Sequence, residues 1–574
     1  MSIFKKYNIE ETDIKKSKLN KYLLTIVILV VSLQIFYFLK RIVFPDLSYD
    51  TLNYHFFSGK SGFDNFPYFF KSSEFYPLGM HSFNPFIDMF NYMTYLIFGY
   101  RLGTILSLFS AVGITILSYL IIQKLISEKN KILLFFFLVP IFVVNEELFQ
   151  IGTYYTDNMY SFLLVLYLFL LLKFVDNNRK LNIFILSIIG LIFGIVVTKL
   201  TNVIYAVPFY VATIYLIFLK NNIYKKVNFK KFIIETIFYT GIVIAVNFFL
   251  FINILESKNP VFPYYNKIFK SVYYPENSWN FNFGPITVKQ RVFYPYYAFK
   301  DPTILGEVKD IFPDNKLLIL FIFSLVFFVI CLIYKKKFKA EEKLIIFIYF
   351  LSYLIWQFQF GYARYGIFLE ILGGIVSFIF MKEIFEKKSF FLKIFSIIFI
   401  VVLFFQSYKI INFNYKYDIS WRKTPSVYEW KKMFFSKTIF EKYTEIDKET
   451  KDDLSDVSFI IQCKNPSSAY FSTVETISNL PMLNFDGVNK TLTENIEYQK
   501  RRDVFLNKDK NAENLKFAMI FGERNGELKK EKEECLDNLK GYDIDIIKEE
   551  QIDNFIADGN KKMILLIGRF NLSN

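Results

Sequence analysis

Between residues 22 and 407 the sequence falls into apolar runs of ~18 to 25 residues, the length that crosses a ~30 Å hydrocarbon core. Inside lipid every backbone N–H and C=O must be paired within the spanning element, so runs of this length are helices. A β-barrel would show alternating segments of ~10 residues instead, and the sequence has none. The runs lie near 22–39, 102–123, 132–149, 158–175, 182–198, 201–219, 232–254, 316–334, 343–358, 365–381 and 390–407. The chain therefore reads as a polytopic α-helical membrane protein with about eleven transmembrane helices. The first run is long, lacks a small-residue cleavage site and is followed by further spans, so it reads as a retained helix, not a signal peptide.

The net charge of +15 on its own would suggest a nucleic-acid partner. Its distribution argues against one. Lysine and arginine gather in short loops, among them Lys15 to Lys21, Lys124 to Lys131, Lys173 to Lys180, Lys220 to Lys231, Lys335 to Lys339 and Lys382 to Lys388. With residues 1–21 in the cytoplasm, every one of these loops falls on the inner side and the C-terminus lies outside. The basic balance thus reports topology: a multi-pass protein of the cell (plasma or inner) membrane, in contact with membrane lipids.

Within the transmembrane module, 22–407, two outer loops stand out. Residues 40–101 are rich in Pro, Gly and aromatics, and the short, polar-studded segment 84–98 is expected to lie along the interface as a helix. Residues 255–315 form the second outer loop. Residues 408–574 are a different material, lysine- and glutamate-rich, with apolar runs at 457–462, 516–521 and 562–568. That pattern predicts a soluble α/β domain outside the membrane. Cys463 and Cys535 both fall in it, where a disulfide is chemically permitted, whereas Cys331 sits in a span.

The outer side carries the polar groups that packing does not require. The first loop holds both histidines of the chain, His55 and His81, together with Asp46, Asp50, Asp64, Glu74 and Asp88. Carboxylates at outer helix ends can take a proton from a hydroxyl or amine, or ligate a divalent cation; singly, they are usually just solvated. A second acid stands at the same depth: Asp157, in "NEELFQIGTYYTDNMYS", which could equally be the N-cap of the next helix. Lys199 ends the fifth span and Arg364 is the only charge in the outward turn "QFGYARYGI". A snorkelling lysine is the ordinary explanation for such a position, but two cations on the carboxylate side suit a phosphate held at the membrane surface. Glu256, Glu307 and Asp310 in the second loop are not ranked by position.

The order of these residues resembles the GT-C glycosyltransferases, polytopic enzymes that take a sugar from a polyprenyl-phosphate or -diphosphate donor and include protein mannosyltransferases and the aminoarabinose transferase of lipid A. "YDTLNYH" is similar to the first-loop motif of a bacterial branch, with an Asp followed five residues later by His, which maps onto Asp50 and His55. "QIGTYYTDN" resembles the second acidic motif, at Asp157, and "GIVVTKLTN" the glycine-then-lysine helix end, at Lys199. "NPVFPYYNKIFKSVYYP" resembles that branch's large outer loop. The likeness covers roughly residues 20–410 and leaves the tail unmatched. It departs in the first loop, where the usual acidic pair is reduced to Asp50, with Asp46 four residues earlier, so metal dependence stays open.

The resemblance implies an inverting transfer in cell-envelope glycan biosynthesis on the outer face, to a glycan, lipid or protein acceptor. Asp50 would be the general base and Asp157 the second catalytic acid; Lys199 and Arg364 would hold the donor phosphate, and Tyr54, His55 and Tyr365 would contact substrate. A flippase or transporter of lipid-linked saccharides would place its ionisable groups nearer mid-bilayer and show repeated halves. A non-catalytic envelope-assembly protein would need no acids beside its spans.

Overall fold

A computed structural model describes residues 12–46, 48, 50–64, 84–125, 141–176, 183–223, 226–261, 264–271, 285, 287–305, 315–385, 390–417, 448–462, 480, 482–484, 515–522, 532–533, 535–537, 539, 543–553 and 562–570. Glu74, His81, Glu307, Asp310 and Cys463 lie outside them. Fourteen helices of the described bundle concern the site: α1 (Thr12–Val43), α2 (Phe56–Asp64), α3 (Phe86–Leu102), α4 (Ile105–Leu125), α5 (Asn145–Phe149), α6 (Asp157–Asp176), α7 (Ile183–Val197), α8 (Val203–Asn221), α9 (Phe229–Val246), α10 (Phe249–Ser257), α11 (Lys316–Ile333), α12 (Ala340–Gln359), α13 (Ile367–Phe385) and α14 (Phe390–Lys416).

Among the described residues six helices are long and apolar enough to cross a membrane: Leu24–Val43, Ile105–Leu125, Asp157–Val175, Leu200–Leu219, Lys316–Ile333 and Phe390–Lys416. Large apolar side chains stay exposed on the outside of the bundle, for example Leu24, Phe109, Phe184, Phe391 and Val401, as lipid-facing surfaces require. The centre is α13. It packs against α11, α12, α14, α4 and α6, and its apolar residues from Ile367 to Ile384 are buried on every side. A helix that is hydrophobic all round belongs in the middle of a bundle.

Two expected spans are broken by polar side chains. The run 232–254 is not one helix: α9 ends at Val246 and α10 starts at Phe249. Asn247 turns the chain there, its amide donating to the carbonyls of Gly194 (2.8 Å) and Val243 (2.9 Å). The run 132–149 stops short as well. Residues 143–144 are not helical, Val144 is extended, and α5 follows as a separate turn; Lys316 from α11 donates to the freed Val143 carbonyl at 2.5 Å. In the same way Lys40, at the outer end of α1, caps α14 by donating to the carbonyls of Asn414, Tyr415 and Tyr417 at 2.6–2.9 Å.

The tail contains α15 (Lys448–Ser455) and five strands: β1 (Phe459–Gln462), β2 (Met482–Asn484), β3 (Leu515–Gly522), β4 (Ile544–Asp553) and β5 (Lys562–Phe570). The sheet order is β2-β1-β3-β5-β4, with β1 parallel to β2 and β3 and the β3–β5 and β5–β4 pairs antiparallel. The three apolar runs of the tail are β1, β3 and β5. Side chains alternate along a strand, so a run that is apolar throughout needs cover on both faces. Phe459, Phe517, Met519 and Leu566 pack with Cys535 and Leu539 on one face. Ile460, Ile520, Leu565 and Ile567 form a single apolar cluster with Leu454 of α15 and with Phe56, Tyr92, Tyr100 and Tyr154 of the bundle. The tail sheet is thus built onto the first outer loop. Cys535 is disulfide-bonded and Cys331 is free and buried.

Candidate functional site

The first outer loop leaves α1 and is pinned at once by Asp46. Its Oδ1 accepts from the Ser48 backbone N–H (2.9 Å), and its Oδ2 accepts from the Thr51 hydroxyl (2.5 Å) and the Tyr154 backbone N–H (3.0 Å). Tyr100 donates to the Asp46 carbonyl at 2.6 Å. Asp46 is therefore a staple between the first loop and the loop preceding α6, which puts Asp50 and Asp157 on one side of the molecule. The chain then makes one π-helical turn, Thr51–His55, before α2. Such a widened turn re-aims side chains and recurs at functional sites. Here it lets the Tyr54 hydroxyl donate to Asp50 Oδ2 at 3.1 Å. Gly59 seats α2 on α3: a Cβ there would lie 2.4 Å from the Asp88 carbonyl oxygen.

Arg364 joins the two acids. It stands in the turn between α12 and α13, which Gly361 opens at φ +61° and which is fixed by Trp356 Nε1 donating to the Tyr362 carbonyl (2.8 Å) and by the Tyr294 hydroxyl on the Gly361 carbonyl. Arg364 Nη1 donates to Asp50 Oδ2, and Nε donates to Asp157 Oδ2 at 3.0 Å. The guanidinium lies 4.2 Å from the centre of the Tyr155 ring. Lys199, between α7 and α8, donates to Asp157 Oδ1 and lies 5.5 Å and 5.8 Å from the Tyr160 and Tyr365 rings. Asp157 also opens α6, where a carboxylate suits the positive end of the helix.

Sequences 314 and 207 residues apart thus meet at one guanidinium. Burial would strip Arg364 of its charge, but Asp50 and Asp157 outweigh it and hold the guanidinium above its ordinary range. For Lys199 burial wins over Asp157, and its ammonium loses its proton more readily than a solvated lysine does. Burial, and then Asp50, raise Tyr54 well above the usual phenol range.

Beside these ion pairs opens a cavity lined by Tyr54, His55, Asn84, Asp88, Tyr160, Thr198, Lys199, Tyr264, Arg364 and Tyr365, among others. All five of the non-carboxylate candidates from the sequence line it: Lys199, Arg364, Tyr54, His55 and Tyr365. Sequence reasoning left Asp88 unranked and did not single out Tyr155 or Tyr160. His55 Nδ1 lies 2.8 Å from Asp88 Oδ1. The signal for Asp88 was its place one turn inside an interfacial segment facing the same side; nothing in the sequence told which partner it would meet. Among the described residues no group of three or more His, Cys, Asp or Glu could hold a metal ion. Both Asp157 oxygens serve cations of the chain itself. Asp50 and Asp157 act as counter-ions to Arg364 and Lys199.

The helical bundle with its central α13 shares its fold with solved structures of known proteins. Among solved structures it is similar to ArnT from Cupriavidus metallidurans bound to undecaprenyl phosphate, with a TM-score of 0.50 and 9% sequence identity over 94% of this chain and 97% of that one. The Archaeoglobus fulgidus oligosaccharyltransferase in complex with zinc and sulfate aligns at a TM-score of 0.45 and 11% identity, over 86% of this chain and 67% of that one. No protein-family profile and no curated protein sequence matches the chain.

Proposed function

We propose that this protein is a glycosyltransferase of the cell envelope that moves a sugar from a polyprenyl-phosphate or -diphosphate donor to a hydroxyl or amine on the extracytoplasmic face of the membrane. The observation that carries the reading is the Asp50–Arg364–Asp157–Lys199 chain of ion pairs, whose two cations line one cavity. Two cations there suit the charge that grows on a departing phosphate, and two acids orient those cations until it arrives. ArnT, which shares the fold, was solved with undecaprenyl phosphate bound.

In this scheme Asp50 is the general base. Arg364 and Tyr54 occupy its Oδ2. A donor phosphate competing for Arg364 and Lys199 loosens that pair, so Asp50 Oδ2 is freed to meet the acceptor's proton only when the donor is in place. The acceptor oxygen or nitrogen then attacks the anomeric carbon, its proton passes to Asp50, and the lipid phosphate leaves with the electron pair of the C–O bond. Asp157 keeps Lys199 and Arg364 apart at the distance that grips the phosphate.

Ionisable groups inside the bundle, Lys316–Glu370 (2.7 Å) and Lys382–Glu342 (2.6 Å), sit near helix ends and not at mid-span, which disfavours transport. The test is Asp50→Asn in cells whose only copy is the variant. Surface glycan loses the transferred sugar while the protein stays folded in the membrane. Unchanged glycan would refute the reading.

A further inference from the structure

His55 and Asp88 form a polar pair in the cavity that the reaction scheme leaves without a task. Both are buried, at 5% and 7% exposure, and His55 Nδ1 lies 2.8 Å from Asp88 Oδ1. The other ring nitrogen, Nε2, is buried and has no hydrogen-bond partner among the described residues. His55 lines the same cavity as Lys199 and Arg364. Its ring is held between Tyr54 and Tyr155, with centroids at 4.3 Å and 5.5 Å. A carboxylate on Nδ1 fixes the orientation of the ring and leaves Nε2 as the nitrogen available to a ligand of the cavity that His55 lines.

We propose that the His55–Asp88 pair is a third ligand of the donor phosphate and the acid that protonates it as it leaves; this rests on the glycosyl-transfer reading above. His55 Nε2–H hydrogen-bonds the phosphate oxygen attached to the anomeric carbon. As that C–O bond breaks, its electron pair stays on the oxygen, which takes the Nε2 proton. The acceptor's proton goes to Asp50. The sum is one proton moved from acceptor to lipid phosphate, leaving neutral His55 and protonated Asp50, both reset by exchange with the outer medium. Asp88 acts through His55 and is a positioning residue.

The charged and titratable groups around His55 are Asp50 and Tyr54 on its own turn, Asp88 on α3, Tyr155, Asp157 and Tyr160 at the start of α6, Lys199 before α8, Tyr264 in the second outer loop, and Arg364 and Tyr365 before α13. Three carboxylates face two cations. Burial raises Asp88 and is opposed by His55.

The test measures binding of undecaprenyl phosphate by the full chain in lipid nanodiscs from pH 5.5 to 8.5, with thermal unfolding as the control for folding. The difference between wild type and His55→Gln is the readout, since the lipid phosphate titrates identically in both. His55→Gln is expected to lose ~10-fold in affinity at pH 5.5, one charge-assisted hydrogen bond, and less than ~2-fold at pH 8.5. Asp88→Asn, which keeps the ring but removes its counter-charge, is expected to shift the step about one pH unit lower. A His55→Gln curve parallel to wild type at every pH, whether superposed or uniformly weaker, overturns the proposal. If Lys199→Ala and Arg364→Ala also bind the lipid as wild type does, the donor-phosphate reading itself fails; if they lose binding and His55→Gln alone does not, only the role of the pair fails.

Discussion

Replacing Arg364 by lysine keeps the charge and removes the fork. In the native turn Nη1 serves Asp50 and Nε serves Asp157 at 3.0 Å, while the guanidinium plane lies 4.2 Å from the centre of the Tyr155 ring. A lysine brings one ammonium on a flexible stem and cannot stand at both carboxylates. One charge-assisted hydrogen bond is lost, worth ~1.5–3 kcal/mol, and the desolvated cation–π contact adds ~1–2 kcal/mol. The sum, ~2.5–5 kcal/mol, overlaps the ~3–5 kcal/mol usual for breaking one partner out of a buried ion pair. In a chain of this size each kilocalorie moves the midpoint by a degree or two, so Arg364→Lys is expected to lower Tm by ~5 °C in thermal unfolding of the nanodisc-embedded protein. Asp50→Asn supplies the second half of a double-mutant cycle: made in the Arg364→Lys background, it should cost at least ~1 kcal/mol less than in the wild type. A Tm within about 1 °C of wild type, or strictly additive losses, would show that the guanidinium does not bridge the two acids.

Glu147 provides a pH test away from the cavity. Burial outweighs the hydrogen bond from Gln34 Nε2 (2.7 Å) and pushes its carboxyl up to about 8, so it is protonated at neutral pH. A folded-state value above the unfolded one stabilises at low pH, and that contribution is lost as pH rises from the unfolded value through about 8. Wild-type Tm should therefore fall from pH 6 to 9, and Glu147→Gln should flatten the slope. On the tail sheet, Ile567→Asp places an unpaired carboxylate in the cluster shared with Phe56 and Tyr154; hydrogen exchange of α2 is expected to rise at least ~10-fold while that of α13 does not change. Asp46→Asn keeps the shape of the staple but weakens three accepted hydrogen bonds, and glycan transfer should fall ~10-fold or more with lipid-phosphate binding retained.

The membrane character of the bundle was legible because lipid imposes a local rule: each crossing must carry its own run of apolar residues, readable without knowledge of its neighbours. The apolar runs of the tail gave β1, β3 and β5 for the same reason. β4 was not visible: "IDIIKEEQID" is an edge strand whose polar residues face water, and periodicity alone does not distinguish it from a charged loop. The break at Asn247 was hidden too. One asparagine in an apolar run reads as tolerated until the Gly194 carbonyl on another helix is there to receive it.

For the site, the sequence by itself determined the residue types, their order and the side of the membrane they were expected to share. It marked Asp50, Asp157, Lys199, Arg364 and His55 as more polar than their surroundings required. Only the tertiary structure decided the pairings: that Arg364 holds both acids, that Lys199 answers Asp157, that Asp46 staples loops 108 residues apart, and that His55 meets Asp88. Apolar burial is set by composition along a segment and survives averaging over many neighbours. A hydrogen bond depends on two atoms within ~3 Å, a distance that chain order does not encode until the helices have packed.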